Sequence, residues 1–251
     1  MPRLDQLLLQ RGLARSRTRA QRLIRHGRVR LRDDGRVPTK PGEKLPADTA
    51  LDVEADPEER YASRAGLKLE AVLAALSMPL AGRTVLDVGQ STGGFTDCAL
   101  RHGAARVIGV EVGHDQLDAA LRADPRVTCL EGLNARAMAD DPRLARALAE
   151  HPADLAVMDV SFISQTLILP ELAALLPAGG DLLSLVKPQF EVGPEGVNAR
   201  GLVTDPARHG EVAVRIREAC ATAGFAVRHW QESPIRGGDG NREFLLHARR
   251  R

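Results

Sequence analysis

The feature that most restricts the fold of this chain is a set of five short apolar runs. Stretches long enough to hold a helix separate them. The runs cover residues 84–88, 107–112, 127–130, 155–158 and 182–186. Strands that are apolar throughout are buried on both faces, which is typical of parallel sheets covered by helices. Two later runs, 225–230 and 243–247, have no helix-length spacer between them and predict a terminal hairpin. The pattern therefore predicts a doubly wound, Rossmann-like α/β sheet with an antiparallel C-terminal edge.

The first sixty residues have a different pattern. Leucines at helical spacing from Leu4 predict a first helix, and Ser16 is placed to cap a second that runs toward Gly27. Short extended pieces follow at 29–31 and 51–53. The polar stretch Asp56-Pro57-Glu58-Glu59 is typical of a linker. We therefore expect a small α+β domain at residues 1–60 and a larger domain at 61–251.

Charge is divided unevenly between these two parts. Residues 1–40 hold 12 Lys and Arg against 3 Asp and Glu, a net charge of +9, whereas the remainder holds 23 against 30, a net of −7. A concentrated basic face attracts a polyanion through phosphate neutralisation and counterion release. Nucleic acid is the expected partner, and a merely solvated arginine-rich surface is the alternative. The arginines expected to contact RNA are Arg3, Arg15, Arg17, Arg19, Arg22, Arg25 and Arg28.

Composition excludes several other classes of protein. Hydrophobic residues at 43% and charged residues at 27% are typical of a globular protein. Each apolar run ends before the roughly 18 residues that a membrane span needs, and the N-terminus lacks a signal peptide, so we expect a cytoplasmic protein. Cys98, Cys129 and Cys220 include no C-x-x-C pair, which predicts reduced structural cysteines and no metal site. A catalytic thiol is the alternative.

The first apolar run leads directly into a glycine-rich turn, Asp87-Val88-Gly89-Gln90-Ser91-Thr92-Gly93-Gly94, and a helix is predicted to begin near Phe95. Glycines here let a ligand approach the backbone and the helix N-terminus. The spacing differs from the G-x-G-x-x-G of dinucleotide folds, which disfavours a dehydrogenase. A packing turn without a ligand is the alternative.

Two carboxylates indicate which ligand this turn binds. Asp87 suits a cationic centre, and Glu111 ends the second apolar run, where a ribose diol would be held. Together they indicate S-adenosylmethionine. Asn134 is expected to reach the adenine edge, or to be an ordinary loop residue. The predicted cofactor-binding residues are Asp87, Gly89, Ser91, Thr92, Gly93, Gly94, Phe95, Glu111, Asn134 and Asp159.

Four polar residues at element boundaries are expected on the same edge of the sheet: Lys68, Asp159, Lys187 and Glu243. Methyl transfer to a ribose hydroxyl requires that hydroxyl to be aligned with the methyl group and to lose its proton. Lys187 is the expected general base, and Lys68 is the nearby cation that favours its neutral form. Asp159 is expected to orient Lys187 and to hold the hydroxyl, while Glu243 balances Lys68. Any one of them alone is more typical of a surface charge.

Three resemblances agree with these predictions. Arg3-Leu4-Asp5, Ser16-Arg17-Thr18-Arg19-Ala20 and His26-Gly27-Arg28-Val29 resemble an S4-type RNA-binding domain over residues 2–60. The four polar residues resemble the Lys-Asp-Lys-Glu tetrad of FtsJ-type ribosomal-RNA methyltransferases. Further motifs resemble those of the TlyA family over essentially the whole chain: Ser63 to Leu69, Asp87 to Asp97, Asp159 to Ser164, Lys187 to Gly193, and Ser233-Pro234-Ile235 with Gly237 to Asn241.

The resemblance to the TlyA family implies 2′-O-methylation of cytidine in ribosomal RNA, on the large subunit and in some members also on the small one. Ala65 and Gln90 depart from the family pattern, and Gln90 stands in the cofactor turn. The family also brings the label haemolysin. A pore-forming protein would require membrane-length apolar segments or lipid-facing strands, and the sequence shows neither.

Two further alternatives are an RNA-binding protein without catalysis and a methyltransferase that acts on proteins or small molecules. The first predicts a degraded turn or a missing tetrad residue, and the second gives no reason for the basic N-terminus. Aromatic residues make up only 3% of the chain, so phosphate and shape contacts are expected to dominate RNA recognition. The segment from Gln189 to Asp205 is predicted to lie over the site and to order on RNA binding.

Overall fold

The computed structural model describes residues 1–14, 16–54 and 60–251. The chain divides into two compact units, Met1–Arg60 and Tyr61–Arg251. Arg15 and the predicted linker Asp56-Pro57-Glu58-Glu59 lie outside the described residues.

The first unit contains two helices and a two-stranded sheet. Helix α1 (Leu4–Gln10) and helix α2 (Arg17–Arg25) pack through buried leucine and isoleucine side chains. Ser16 caps α2 as predicted, because its Oγ accepts a hydrogen bond of 3.2 Å from the backbone N–H of Arg19. Strand β1 (Val29–Leu31) pairs antiparallel with β2 (Leu51–Val53), so its partner is distant in the chain.

The second unit is built on a seven-stranded sheet. The strands are β3 (Thr84–Val88), β4 (Arg106–Glu111), β5 (Val127–Glu131), β6 (Leu155–Met158), β7 (Asp181–Val186), β8 (Phe225–Glu232) and β9 (Phe244–Arg250). Their order is β5-β4-β3-β6-β7-β9-β8. Strands β3 to β7 run parallel, and β8 and β9 form the antiparallel hairpin at one edge. The predicted fold class is confirmed.

Helices cover both faces of this sheet. Helices α3 (Ala65–Leu76) and α4 (Gly94–Arg101) pack on one face, and α6 (Pro142–Glu150), α7 (Leu169–Leu175) and α8 (Pro206–Thr222) pack on the other. A short helix, α5 (Ala119–Arg122), precedes β5. Neighbouring strand residues alternate between the two cores, as Val85 and Leu86 do, which explains why these runs are apolar throughout.

The three cysteines are free, and two of them, Cys98 and Cys220, are buried in these cores. Burial raises the pKa of the Cys220 thiol to about 12, so this side chain has the character of a small apolar residue. Among the described residues, no helix is both long enough and apolar enough to span a membrane.

The strand order reverses between β3 and β6. The chain leaves β3 and passes to β4 on one side, whereas β6 lies on the other side. In an open parallel sheet such a reversal creates a crevice beyond the carboxyl ends of the strands. The loops that follow β3, β4, β6 and β7 therefore meet at one edge.

Candidate active site

The glycine-rich turn after β3 lies against the end of β6. Gly89 has a φ of +85°, and a Cβ at this position would lie only 2.5 Å from the carbonyl oxygen of Asp159. Only glycine tolerates both this conformation and this approach. The backbone can thus pass close to Asp159 before α4 begins at Gly94.

Glu111, at the end of β4, holds this turn from the neighbouring strand. Its carboxylate oxygens accept backbone hydrogen bonds of 2.8 Å from Ser91 and of 2.8 Å from Gly113. A carboxylate that accepts two backbone N–H groups has a fixed orientation. Glu111 therefore joins the turns after β3 and β4, and it also lines the cavity between them.

A cavity of about 460 Å³ opens between these turns and the loop after β6. Glu111 and Asn134 line it, as does Asp159. A smaller cavity adjoins it, lined by Ser63 and by the turn residues Thr92, Gly94 and Phe95. Gly89, Ser91 and Asp159 line both, so the two cavities form one elongated space. Gly93 lies outside both linings and packs against Leu117 and Leu121.

Asp87 lies beneath the turn and does not line either cavity. Its Oδ2 accepts a hydrogen bond of 2.6 Å from Thr96 Oγ1, which in turn accepts one of 3.0 Å from Gln90 Nε2. Burial raises the pKa of Asp87 to about 7. Gln90, the residue that departs from the family pattern, is buried against Gly109, where a Cβ would lie 2.0 Å from its side chain. Gln90 thus packs beneath the turn and is joined to Thr96.

The four predicted tetrad residues come together as two ion pairs. Lys187 Nζ lies 2.6 Å from Asp159 Oδ1 and donates a hydrogen bond of 2.8 Å to Ser161 Oγ. Lys68 on α3 pairs with Glu243 in a buried contact. Burial raises the pKa of Glu243, while the charges of Lys68 and Lys187 act in the opposite direction.

Strand pairing brings Lys187 and Glu243 to the same edge of the sheet, and Lys68 reaches Glu243, 175 positions away in the chain, from helix α3. Val186, the last residue of β7, is paired with Phe244, the first residue of β9. Lys187 and Glu243 therefore leave adjacent strands at the same edge, because β9 runs antiparallel to β7. Asp159 follows β6, the neighbour of β7 on its other side.

Ser161 and Phe162 are two of the cavity-lining residues that were not predicted as site residues, and Ser63 is another. Ser161 contacts Lys187, as described above. Phe162 lines the cavity, is 90% exposed and has a φ of +63°. Its ring centroid lies 5.1 Å from that of Phe190. An exposed aromatic residue in a left-handed conformation is unusual, and only its place between Asp159 and Ser164 in the sequence could have indicated it.

The segment from 189 to 205 is held at several points. Asn241 is buried, and its Oδ1 accepts a hydrogen bond of 2.9 Å from the backbone N–H of Val203. At the other end, Glu191 accepts hydrogen bonds from Ser164 Oγ at 2.6 Å and from the N–H of Gln165 at 2.9 Å. These contacts attach the segment to the loops after β6 and before β9. That it orders further on RNA binding stays a prediction.

The first unit organises two of its predicted RNA-binding arginines around Asp5, which is fully buried. Arg3 donates hydrogen bonds of 3.0 Å to both carboxylate oxygens, and Arg17 Nε donates one of 3.2 Å. These guanidinium groups hold the pKa of Asp5 well below its usual range. Arg25 lies exposed in the last turn of α2, and Arg28 pairs with Glu54. Within the described residues, no cluster of metal-binding side chains occurs.

Comparison with known proteins gives matches to both units. Residues 61–250 match the family model of FtsJ-like methyltransferases, and residues 2–49 match that of the S4 domain. The 16S/23S rRNA (cytidine-2′-O)-methyltransferase TlyA of Mycobacterium tuberculosis is 40% identical over 247 residues, which cover 98% of this chain and 89% of that protein.

Hemolysin A of Brachyspira hyodysenteriae is 36% identical over 98% of both chains. Among solved structures, a protein named as a hemolysin from Streptococcus thermophilus is 40% identical, with a TM-score of 0.76 over 99% of this chain and 88% of that one. Fibrillarin of Aeropyrum pernix, solved with S-adenosyl-L-methionine, shares the fold at 20% identity and a TM-score of 0.50, over 71% of this chain and 74% of that one.

Proposed function

This chain belongs to the family of FtsJ-like methyltransferases, and we propose that it methylates the ribose 2′-hydroxyl of a cytidine in ribosomal RNA. The observation that carries the proposal is the pairing of Lys187 with Asp159 beside the cavity that Asp159 lines. A base held by a carboxylate at the edge of a ligand cavity suits removal of a proton from an incoming hydroxyl.

The cofactor of this family is S-adenosylmethionine, and the residues around the elongated space fit it. Glu111 and Asn134 would hold the nucleoside part in the larger cavity, and Ser63, Thr92 and Gly94 would surround the amino-acid part in the smaller one. The missing Cβ at Gly89 lets the backbone of the turn pass against Asp159, so that both line this space. When bound, the cofactor supplies a methyl group on a sulfonium that is ready to leave.

The side chains of the tetrad then have distinct tasks. Lys187 Nζ accepts the proton of the 2′-hydroxyl, and Asp159 stabilises the ammonium that forms. Glu243 pairs with the buried Lys68, so that this positive charge does not stand unopposed beside the site. The exposed ring of Phe162 at the cavity provides one surface on which the base of the target nucleotide can stack.

Recognition of the RNA is assigned to the first unit. Its net charge over residues 1–40 is +9, and its match to the S4 domain agrees with a role in binding structured RNA. Arg3, Arg17, Arg19, Arg22, Arg25 and Arg28 are proposed to contact phosphates, as is Arg15 outside the described residues. A chain that acts on ribosomal subunits is expected to work in the cytoplasm.

The choice of cytidine in ribosomal RNA rests on the activity by which the relative in M. tuberculosis is named. The name Hemolysin A indicates a second function, but no feature of the described residues favours it over methyl transfer. A binding protein without catalysis is disfavoured by the paired tetrad beside the cavity.

Transfer of a labelled methyl group tests this proposal. Purified protein is incubated with separated small and large ribosomal subunits and radiolabelled S-adenosylmethionine, and the RNA is digested to nucleosides. We expect label in 2′-O-methylcytidine from at least one subunit. Label on a base, or on protein only, would contradict the proposed reaction.

A further inference from the structure

Ser161 is joined to the proposed catalytic base. It lies two residues after Asp159, in the loop that follows β6, and its Oγ accepts a hydrogen bond of 2.8 Å from Lys187 Nζ. Ser161 is not one of the four tetrad residues, yet its hydroxyl contacts the Lys187 amine, which is expected to accept the proton of the substrate. Ser161 also lines the larger cavity, so that it faces the same space as Asp159.

The two contacts of the lysine differ in charge. Asp159 lies 2.6 Å from Nζ and is an anion, which stabilises the ammonium once it has formed. A neutral hydroxyl fixes the direction of the amine without adding negative charge. The loop after β6 therefore supplies two anchors for one flexible side chain. Among the described residues, Ser161 Oγ is the one hydrogen-bond partner of Nζ and Asp159 is its ion-pair partner, which leaves room at the nitrogen for a substrate hydroxyl.

Exposure separates Ser161 from the rest of the cluster. The side chains of Lys187 and Asp159 are only 13% and 16% exposed, whereas Ser161 is an exposed residue. Loss of one exposed hydroxyl does not leave a cavity in a core, so its removal should leave the fold intact. A mutation of Ser161 can therefore test the contact with Lys187 by its effect on the reaction, without an accompanying loss of folding.

We propose that Ser161 is a positioning residue for the methyl transfer, which acts by orienting the amine of Lys187 toward the 2′-hydroxyl. The proposal rests on the proposed function and adds a residue to its site. A lysine stem has several rotatable bonds, and holding its amine in one direction is a contribution to the rate rather than to affinity.

The test compares Ser161→Ala with Ser161→Thr in the full chain. Single-turnover rate constants are measured at saturating S-adenosylmethionine and ribosomal subunits, over a range of pH, and cofactor affinity is measured by calorimetry. We expect the alanine variant to lose about 10- to 100-fold in rate, with cofactor affinity changed less than about twofold and with an altered pH–rate profile. The threonine variant, which keeps the hydroxyl, should recover most of the rate.

Ser164→Ala is the matched control, because Ser164 belongs to the same loop and its hydroxyl contacts Glu191 rather than Lys187. It should keep the pH–rate profile of the wild type. Equal rate losses and unchanged profiles in Ser161→Ala and Ser164→Ala would overturn the proposal in favour of a general effect on the loop. An unchanged rate in Ser161→Ala would overturn it while leaving the proposed function in place, whereas a wild type that transfers no methyl group to ribose would overturn both.

Discussion

The buried pair between Lys68 and Glu243 should contribute to both folding and catalysis, and the two contributions can be separated. The side chains are 9% and 3% exposed. Substitution Lys68→Met keeps the length of the side chain but leaves the Glu243 carboxylate buried without its partner. Removal of one partner from such a pair typically costs about 3–5 kcal/mol. For a unit of this size, the midpoint of thermal unfolding should therefore fall by about 6–20 °C at pH 8.

The double variant Lys68→Met with Glu243→Gln is the matched control. It removes both charges and leaves no unpaired ion, so its loss of stability should be much smaller, about 1 kcal/mol. Both variants should lose ribose methylation. If the double variant folds but has no activity, the pair of Lys68 and Glu243 is needed for the reaction and not for folding alone.

The pH dependence provides a further check on the single variant. Burial raises the pKa of Glu243, so the folded state takes up a proton more readily than the unfolded state. Stability from such a group is present at low pH and is lost as pH rises through the folded-state pKa. Without Lys68 that pKa rises further, so the deficit of Lys68→Met should shrink from pH 8 to pH 5. Circular dichroism melts measure both effects, and a single variant as stable as the double variant at pH 8 would refute the reasoning.

Three other predictions concern the cofactor turn and the basic unit. Gly89→Ala places a Cβ against the Asp159 carbonyl at a φ of +85°, so it should destabilise the fold by about 2 kcal/mol or more and abolish cofactor binding in calorimetry; normal affinity would contradict this. The raised pKa of Asp87, about 7, means that the wild type loses stability as pH rises from about 4 to 7. Asp87→Asn lacks this group, so it should gain stability relative to the wild type over the same range. A difference in melting temperature between the two proteins that stays constant with pH would contradict this. Arg25→Ala should weaken RNA binding and reduce the slope of log affinity against log salt by about one, and an unchanged slope would exclude a phosphate contact.

The sheet was predictable because its strands are buried on both faces, which leaves a continuous apolar run in the sequence. The contact of Lys187 with Asp159 was predictable for a related reason, whereas Lys68, which pairs with Glu243, lies on helix α3 and not at the end of a strand. Residues at the ends of adjacent strands meet at one edge once the strand order is known.

The direction of individual side chains was not predictable in the same way. Asp87 is one residue from the end of β3, and its position in the sequence does not distinguish a side chain in the cavity from one beneath the turn. The structure places it beneath the turn, bonded to Thr96. Phe162 stands beside Ile163 in the sequence, but it is 90% exposed at a φ of +63°, and backbone conformation of this kind leaves no periodic pattern.

The most direct test of the proposed chemistry measures one rate, that of methyl transfer to ribosomal subunits by Lys187→Ala at saturating S-adenosylmethionine and RNA in single-turnover conditions. We predict that the variant binds both partners with affinities within about threefold of the wild type and transfers label to ribose at least about 100-fold more slowly. A variant that transfers label within about threefold of the wild-type rate would show that Lys187 does not remove the proton and would contradict the proposed mechanism.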